Sequence, residues 1–237
     1  MPITLAFDVY GTLINTHGIV FKLEALMADK ASAFSYTWRE KQLEYSFRRG
    51  LMCKYENFSV CTRQALDYSC NFYNISLTSE QKNKLLEYYQ ALPVFDDVRD
   101  GLKNLQAAGL QLYAFSNGTR ESVQKLLLAA GISEFFIDII SVDEIKTYKP
   151  DPAVYHHFLA RTGALKSHAW LISSNSFDVM GAISIGMNAA WLQRSKEVRL
   201  DPWGIEPRLI VQNFEQLHNK LLSAEYLRHS PGDKELD

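Results

Sequence analysis

The sequence lacks any apolar run approaching the ~20 residues needed to cross a bilayer, so a membrane-spanning helix is excluded and no membrane partner is expected. It also lacks a surplus of one charge: 25 Lys and Arg face 27 Asp and Glu, a formal net charge of −2. Nucleic acid, which is usually met by a basic surface, is therefore not an expected partner. The opening MPITLAFDVYGT has no basic n-region and carries a carboxylate too early for a secretory signal, which makes a cytoplasmic location the expectation. Cysteine is scarce. Cys53, Cys61 and Cys70 stand eight and nine residues apart, unlike the CxxC pairs of zinc sites. They read as small apolar side chains in a reducing compartment. What is present, 47% hydrophobic and 22% charged residues over 237 positions, suits a soluble globular chain of one large domain or a domain with an insertion.

Short apolar runs recur, each broken by small polar residues. Ile3 to Phe7 leads to Asp8 and Tyr10-Gly11-Thr12; Leu110 to Phe115 leads to Ser116-Asn117-Gly118. Phe136 to Ser141, Ala169 to Ile172 and Ala189 to Leu192 repeat the design, the fourth ending at Ser173-Ser174-Asn175. Runs of this kind suit strands buried on both faces of a parallel sheet. Between them, 97–108, 122–130, 152–161 and 178–185 carry helical spacing or helical stop signals. The alternation predicts an α/β fold, an open parallel-sheet, Rossmann-like core with right-handed crossovers. Such sheets bind ligands beyond the carboxyl ends of their strands, where Asp8, Ser116 and Ser173 to Asp178 all fall.

About 80 residues after the first strand contain no convincing strand and read as helices over 21–27, 37–52, 60–72 and 79–92, with Ser79 as a candidate N-cap. The reading is a helical cap subdomain, 15–93, inserted into a core formed by 1–14 and 94–225, with a loose tail over 226–237. A carboxylate at Asp8, ending an apolar strand, needs donors or a cation to offset its burial, and Thr12 and Lys149 are candidates.

Phe7-Asp8-Val9-Tyr10-Gly11-Thr12-Leu13, then Ser116-Asn117-Gly118, Lys149-Pro150 and Asn175-Ser176-Phe177-Asp178, resemble the four motifs of the haloacid dehalogenase superfamily. More narrowly, the chain resembles the type II 2-haloacid dehalogenases, which act on (S)-2-haloacids. The resemblance runs from Ile3 to about Arg194 and includes the cap segment Trp38 to Tyr45. Superfamily phosphatases use Asp-x-Asp in the first motif and hold Mg²⁺. Here the second position is Tyr10, whose ordinary pKa near ~10 suits it poorly to proton shuttling at neutral pH. The fourth motif carries Ser173 where an acid is usual, leaving Asp178 at that strand end. Phosphoryl transfer is therefore disfavoured.

The resemblance implies Asp8 as nucleophile, with Thr12, Lys149, Ser173 and Asn175 around it. It implies Arg39, Asn117 and Phe177 as the halide cradle, Ser116 as a ligand of the substrate carboxylate, Tyr155 as a support, and Asp178 as the acid that orients Lys149 and assists water activation. Tyr10, Leu43 and Phe58 are candidates for the apolar wall. Phe177 and Tyr155 could equally be plain packing residues. No cofactor and no metal are implied; the expected partner is a small 2-haloacid. Relatives of this kind are often homodimers, and the aromatic-rich cap could supply an interface. Glu40 stands where glutamine is usual in such relatives; if it faces the pocket, its charge would oppose an anionic substrate or pair with Arg39. Three other readings remain open: the same carboxylate acting on fluoroacetate or azetidine-2-carboxylate, a Mg²⁺-dependent phosphatase, and a non-catalytic binding protein.

Overall fold

The computed structural model describes residues 2–223, so the expected tail over 226–237 and the last two residues assigned to the core lie outside the described residues. Among the described residues six strands form one parallel sheet: β1 (Thr4–Asp8), β2 (Gln111–Ser116), β3 (Asp138–Ser141), β4 (Ala169–Ser173), β5 (Asn188–Leu192) and β6 (Leu209–Val211), in the order β3-β2-β1-β4-β5-β6. Every residue of β1, β4 and β5 is buried, as expected for strands covered on both faces. The order reverses at β1, which therefore sits centrally, with Asp8 beside Phe115 of β2 and Phe7 beside Ile172 of β4. That reversal opens a crevice at the carboxyl end of β1.

The helical insertion between β1 and β2 begins with α1 (Val20–Met27), α2 (Ala31–Leu51), α3 (Phe58–Phe72) and α4 (Ser79–Tyr89). The crossovers and flanks of the sheet are α5 (Val98–Ala107), α6 (Arg120–Ala129), α7 (Pro152–Thr162), α8 (Ser176–Ser184) and α9 (Phe214–Leu222). On α2, Ala31, Phe34, Ser35, Trp38, Gln42 and Ser46 are buried at helical spacing. The helix therefore starts six residues before the 37 read from the sequence. Its burial stripe runs back through Ala31, and no side chain caps that end.

Other boundaries also shift for identifiable reasons. Thr78, not Ser79, caps α4: its hydroxyl accepts the Gln81 N–H while the Gln81 side chain accepts the Thr78 N–H. Thr119 caps α6, which begins at Arg120 rather than 122. The third strand starts at Asp138, because Ser133–Phe135 form a 3₁₀ turn and Phe136 packs edge-on against Phe7. β6 and α9 were not anticipated. Cys61 and Cys70 are buried, as small apolar residues would be, but Cys53 is exposed, and all three are free thiols. Among the described residues no helix is long and apolar enough to cross a membrane.

Candidate active site

The first strand delivers Asp8 into the crevice, and Gly11, at a φ of +89°, turns the chain so that Thr12 folds back beneath it. The two carboxylate oxygens of Asp8 are treated differently. Oδ2 accepts from Thr12 Oγ1 (2.8 Å), Asn175 Nδ2 (2.7 Å) and Ser173 Oγ (3.2 Å). Oδ1 accepts from Lys149 Nζ at 3.2 Å. Thr12 is itself fixed, accepting the Ser174 N–H at 2.8 Å. Asn175 also donates to the Tyr10 carbonyl at 3.2 Å.

Lys149 is 1% exposed, one of the few lysines a fold buries so fully. Besides Asp8, its ammonium donates to Asp178 Oδ2 (2.8 Å) and to the Phe115 carbonyl (2.8 Å), and it lies 4.0 Å from the centre of the Phe115 ring. Its backbone N–H donates to Asn117 Oδ1 at 3.0 Å. That fixes the side-chain amide of Asn117 with its NH₂ as the remaining donor. Asp178, on α8, is fully buried and accepts from the Tyr155 hydroxyl at 2.8 Å. Burial pushes its carboxyl up to about 6; Lys149 pulls it down, and the charge of Asp8 raises it. Gly181 makes room for this contact, since a Cβ there would stand 2.3 Å from the Tyr155 hydroxyl oxygen. Tyr155 thus both packs and bonds.

Arg39 reaches the site from α2. Its Nη2 donates to the Tyr10 carbonyl (3.3 Å) and its Nη1 to Gln42 Oε1 (2.7 Å). Gln42 is buried and also accepts from the Tyr89 hydroxyl at 3.1 Å, so a neutral side chain aims the guanidinium. Tyr10 is buried among Phe58 and Tyr89, with ring centres 5.7 and 6.0 Å away, and burial raises its phenol well above the ordinary value. Phe177 meets the cap through the Phe47 ring, edge to face at 4.9 Å. Ser116 is buried and its hydroxyl accepts the Gly118 N–H at 3.1 Å. Leu43 is half-buried on α2, one turn from Arg39.

The arrangement brings Asp8, Thr12, Lys149, Tyr155, Ser173, Asn175 and Asp178 into one hydrogen-bonded cluster, to which Asn117 is joined through the Lys149 backbone. Arg39 stands at its edge on the Tyr10 carbonyl. A cavity of about 310 Å³ between cap and core reaches Arg39, Glu40, Asn175 and Arg194, and a smaller one of about 140 Å³ reaches Tyr10, Phe58, Tyr89 and Gly118. Gln42, Ser174 and Arg194 are not among the residues the sequence marks as functional. Gln42 was detectable in principle as a polar residue on the buried stripe of α2; the other two carry no local signal. Chemically, the cluster presents one carboxylate oxygen with three donors at its back, a buried ammonium, and a second carboxylate able to take a proton.

The family model for haloacid dehalogenase-like hydrolases matches residues 4–186. An (S)-2-haloacid dehalogenase of Pseudomonas putida is 33% identical over 220 residues, covering 93% of this chain and 96% of the relative. Haloacetate dehalogenase H-2 of a Moraxella strain is 35% identical over 190 residues, covering 80% and 85%. The structure of the L-2-haloacid dehalogenase of Xanthobacter autotrophicus with chloropropionic acid covalently bound superposes with a TM-score of 0.87 at 26% identity, covering 93% of this chain and 98% of that one.

Proposed function

The chain belongs to the haloacid dehalogenase-like hydrolases, and from that premise we propose that it hydrolyses short (S)-2-haloacids to (R)-2-hydroxyacids through an ester on Asp8. The observation that carries this reading is the asymmetry of Asp8. Three donors anchor Oδ2, and Oδ1, steadied by Lys149, is the oxygen that attacks. Attack at C2 from the side opposite the halogen forms the Asp8 ester and expels halide with the bonding pair, inverting C2. Arg39 uses two of its five N–H groups on Gln42 and Tyr10, and the rest are available to the departing halide, together with the Asn117 amide and the positive edge of Phe177. Ser116 and backbone N–H groups after Asp8 take the substrate carboxylate.

Water then attacks the Asp8 carbonyl carbon, and its proton passes to Asp178, which Lys149 and Tyr155 hold in place. The bond broken lies between the carbonyl carbon and the former Oδ1; the leaving oxygen takes the second proton of the attacking water, so the hydroxyacid carries an oxygen from Asp8, and the enzyme gains one from water as its carboxylate reforms. C2 is untouched in this step. Magnesium does not fit this donor set: the ammonium of Lys149 bridges Asp8 and Asp178, so a cation already neutralises the two carboxylates that would hold the ion. That bridge supports a route that needs no metal.

Chloride release from (S)-2-chloropropionate, undiminished by EDTA, is the expected activity. A single turnover in H₂¹⁸O should place label in the peptide bearing Asp8. Label found solely in the product would mean direct attack by water and would sink the ester. The relation to a haloacetate dehalogenase makes haloacetates, fluoroacetate included, the second substrates to compare.

Two further outcomes follow from the electrostatics. Asp178 must be ionised to take a proton, so kcat should fall as pH drops through about 6. Tyr155→Phe removes a donor that stabilises the ionised form, and the acid limb should move to higher pH. A limb that stays in place in this variant would remove Tyr155 from the role given to it. Glu40 faces the cavity beside Arg39, where its charge opposes an arriving anion. Glu40→Gln should therefore raise kcat/KM by roughly two- to tenfold at low salt, with the gain shrinking as salt is added.

A further inference from the structure

Arg194 lies two residues beyond β5, outside every motif considered above, and its side chain is 13% exposed. It donates from Nε (3.2 Å) and Nη2 (2.7 Å) to the carbonyl of Thr12, and from Nη1 to both oxygens of Asp97 (2.7 and 2.9 Å). Its Cζ lies 4.1 Å from the centre of the Phe95 ring. Asp97 is anchored in turn, accepting the Phe214 N–H at 2.9 Å. Thr12 belongs to the segment that enters the cap, and Phe95 and Asp97 to the segment that leaves it. These two run side by side, with Asn15 N–H donating to Pro93 O (2.8 Å) and Phe95 N–H to Leu13 O (3.1 Å). One guanidinium therefore ties both linkers of the insertion to the end of β5.

We propose that Arg194, held by Asp97, is a positioning residue for the nucleophile, acting through Thr12; the catalytic part of this inference rests on the function proposed above. Two donors converging on one carbonyl fix the Thr12 backbone. That hydroxyl spans the gap between the Ser174 N–H and Asp8 Oδ2, at 2.8 Å to each. Displacement of Thr12 would remove one of the three donors on Oδ2 and loosen the hold that decides which oxygen attacks. Misplacement of a reacting group on the ångström scale costs about 10²-fold in rate. Arg194 also lines the cavity that Arg39 reaches, but Asp97 offsets its charge, and the substrate's own contacts, on Arg39 and beyond β2, are not touched, so the loss should fall on kcat.

The test compares Arg194→Met, Arg194→Lys and Asp97→Asn with wild type, each alone and in a Thr12→Val background, following chloride release from (S)-2-chloropropionate. Arg194→Met should lower kcat about tenfold or more with KM within about threefold, and Arg194→Lys should recover part of it. In the Thr12→Val background the same change should cost less than about threefold, because the hydroxyl it positions is already gone. A full multiplicative loss there, or an unchanged kcat alongside a lowered Tm, would reduce Arg194 to a stabilising residue and overturn the proposal. Amide exchange at Ser174, whose N–H is held by Thr12, reads the same geometry without turnover and should quicken in Arg194→Met. Unaltered exchange overturns the positioning role even if no haloacid is a substrate, whereas absence of halide from wild type overturns the assigned reaction alone.

Discussion

Lys149→Met is expected to cut halide release by at least about 10³-fold and to weaken the fold in the same stroke. The ammonium is 1% exposed and satisfies three acceptors: Asp8, Asp178 and the Phe115 carbonyl. Methionine fills much of the volume and none of the charge. Two buried carboxylates then face each other without a cation, and removal of one partner from such a pair costs on the order of 3–5 kcal/mol. Asp178 already stands high at about 6 because of burial, and loss of its strongest lowering influence pushes it higher still. At neutral pH the variant would therefore hold a protonated Asp178, unable to accept the proton of the attacking water.

The sign of the stability effect follows from that shift. An acid whose folded-state pKa lies above its unfolded one opposes folding at high pH, and the opposition fades as pH falls and the proton is retained in both states. The stability gap between Lys149→Met and wild type should accordingly be wide at pH 7.5 and narrower at pH 5, as urea denaturation at the two values would measure. An equal gap at both would mean that lost packing, not unpaired charge, explains the defect. Halide release near the wild-type rate would remove Lys149 from the mechanism.

The sequence disclosed the parts of this molecule that local pattern encodes. β1 was legible because five buried residues in a row end in an isolated acid and a glycine turn, and β4 because Ala169 to Ile172 runs into three small polar residues. β6 was not, since three residues that alternate buried, exposed and buried carry too little pattern to stand out. The start of α2 was missed because its stripe begins at Ala31 without a side-chain cap. At the site, Asp8 and Lys149 are legible from a lone carboxylate that ends an apolar strand and needs a cation, and the role of Asp178 from motif resemblance, yet the feature that separates the two oxygens of Asp8 exists solely in three dimensions. Gln42 and Arg194 illustrate the same limit. Each is an ordinary polar residue in sequence and becomes informative when burial and its partners are known: Arg39 and Tyr89 for one, Thr12 and Asp97 for the other.

Asp8→Asn should abolish halide release, by about 10⁴-fold or more, while leaving a folded protein that still binds the haloacid. The amide lacks the charge that makes the carboxylate oxygen attack carbon, so the first bond never forms. Its geometry is also constrained. The three donors around Oδ2 require the amide oxygen on their side, which turns the amide NH₂ toward the Lys149 ammonium, 3.2 Å from the present Oδ1. Two donors then confront each other in a buried setting, and the ammonium keeps Asp178 and the Phe115 carbonyl as acceptors. Lys149 should therefore lean away from residue 8, and the variant should lose stability, though less than Lys149→Met, because the Asp178 pair survives. Quenched wild type should gain the mass of one carboxyalkyl group on the peptide bearing Asp8, and the variant none. If the variant still released halide without acquiring that mass, water rather than Asp8 would be the attacking group, and the donor asymmetry at Asp8 would need a different explanation.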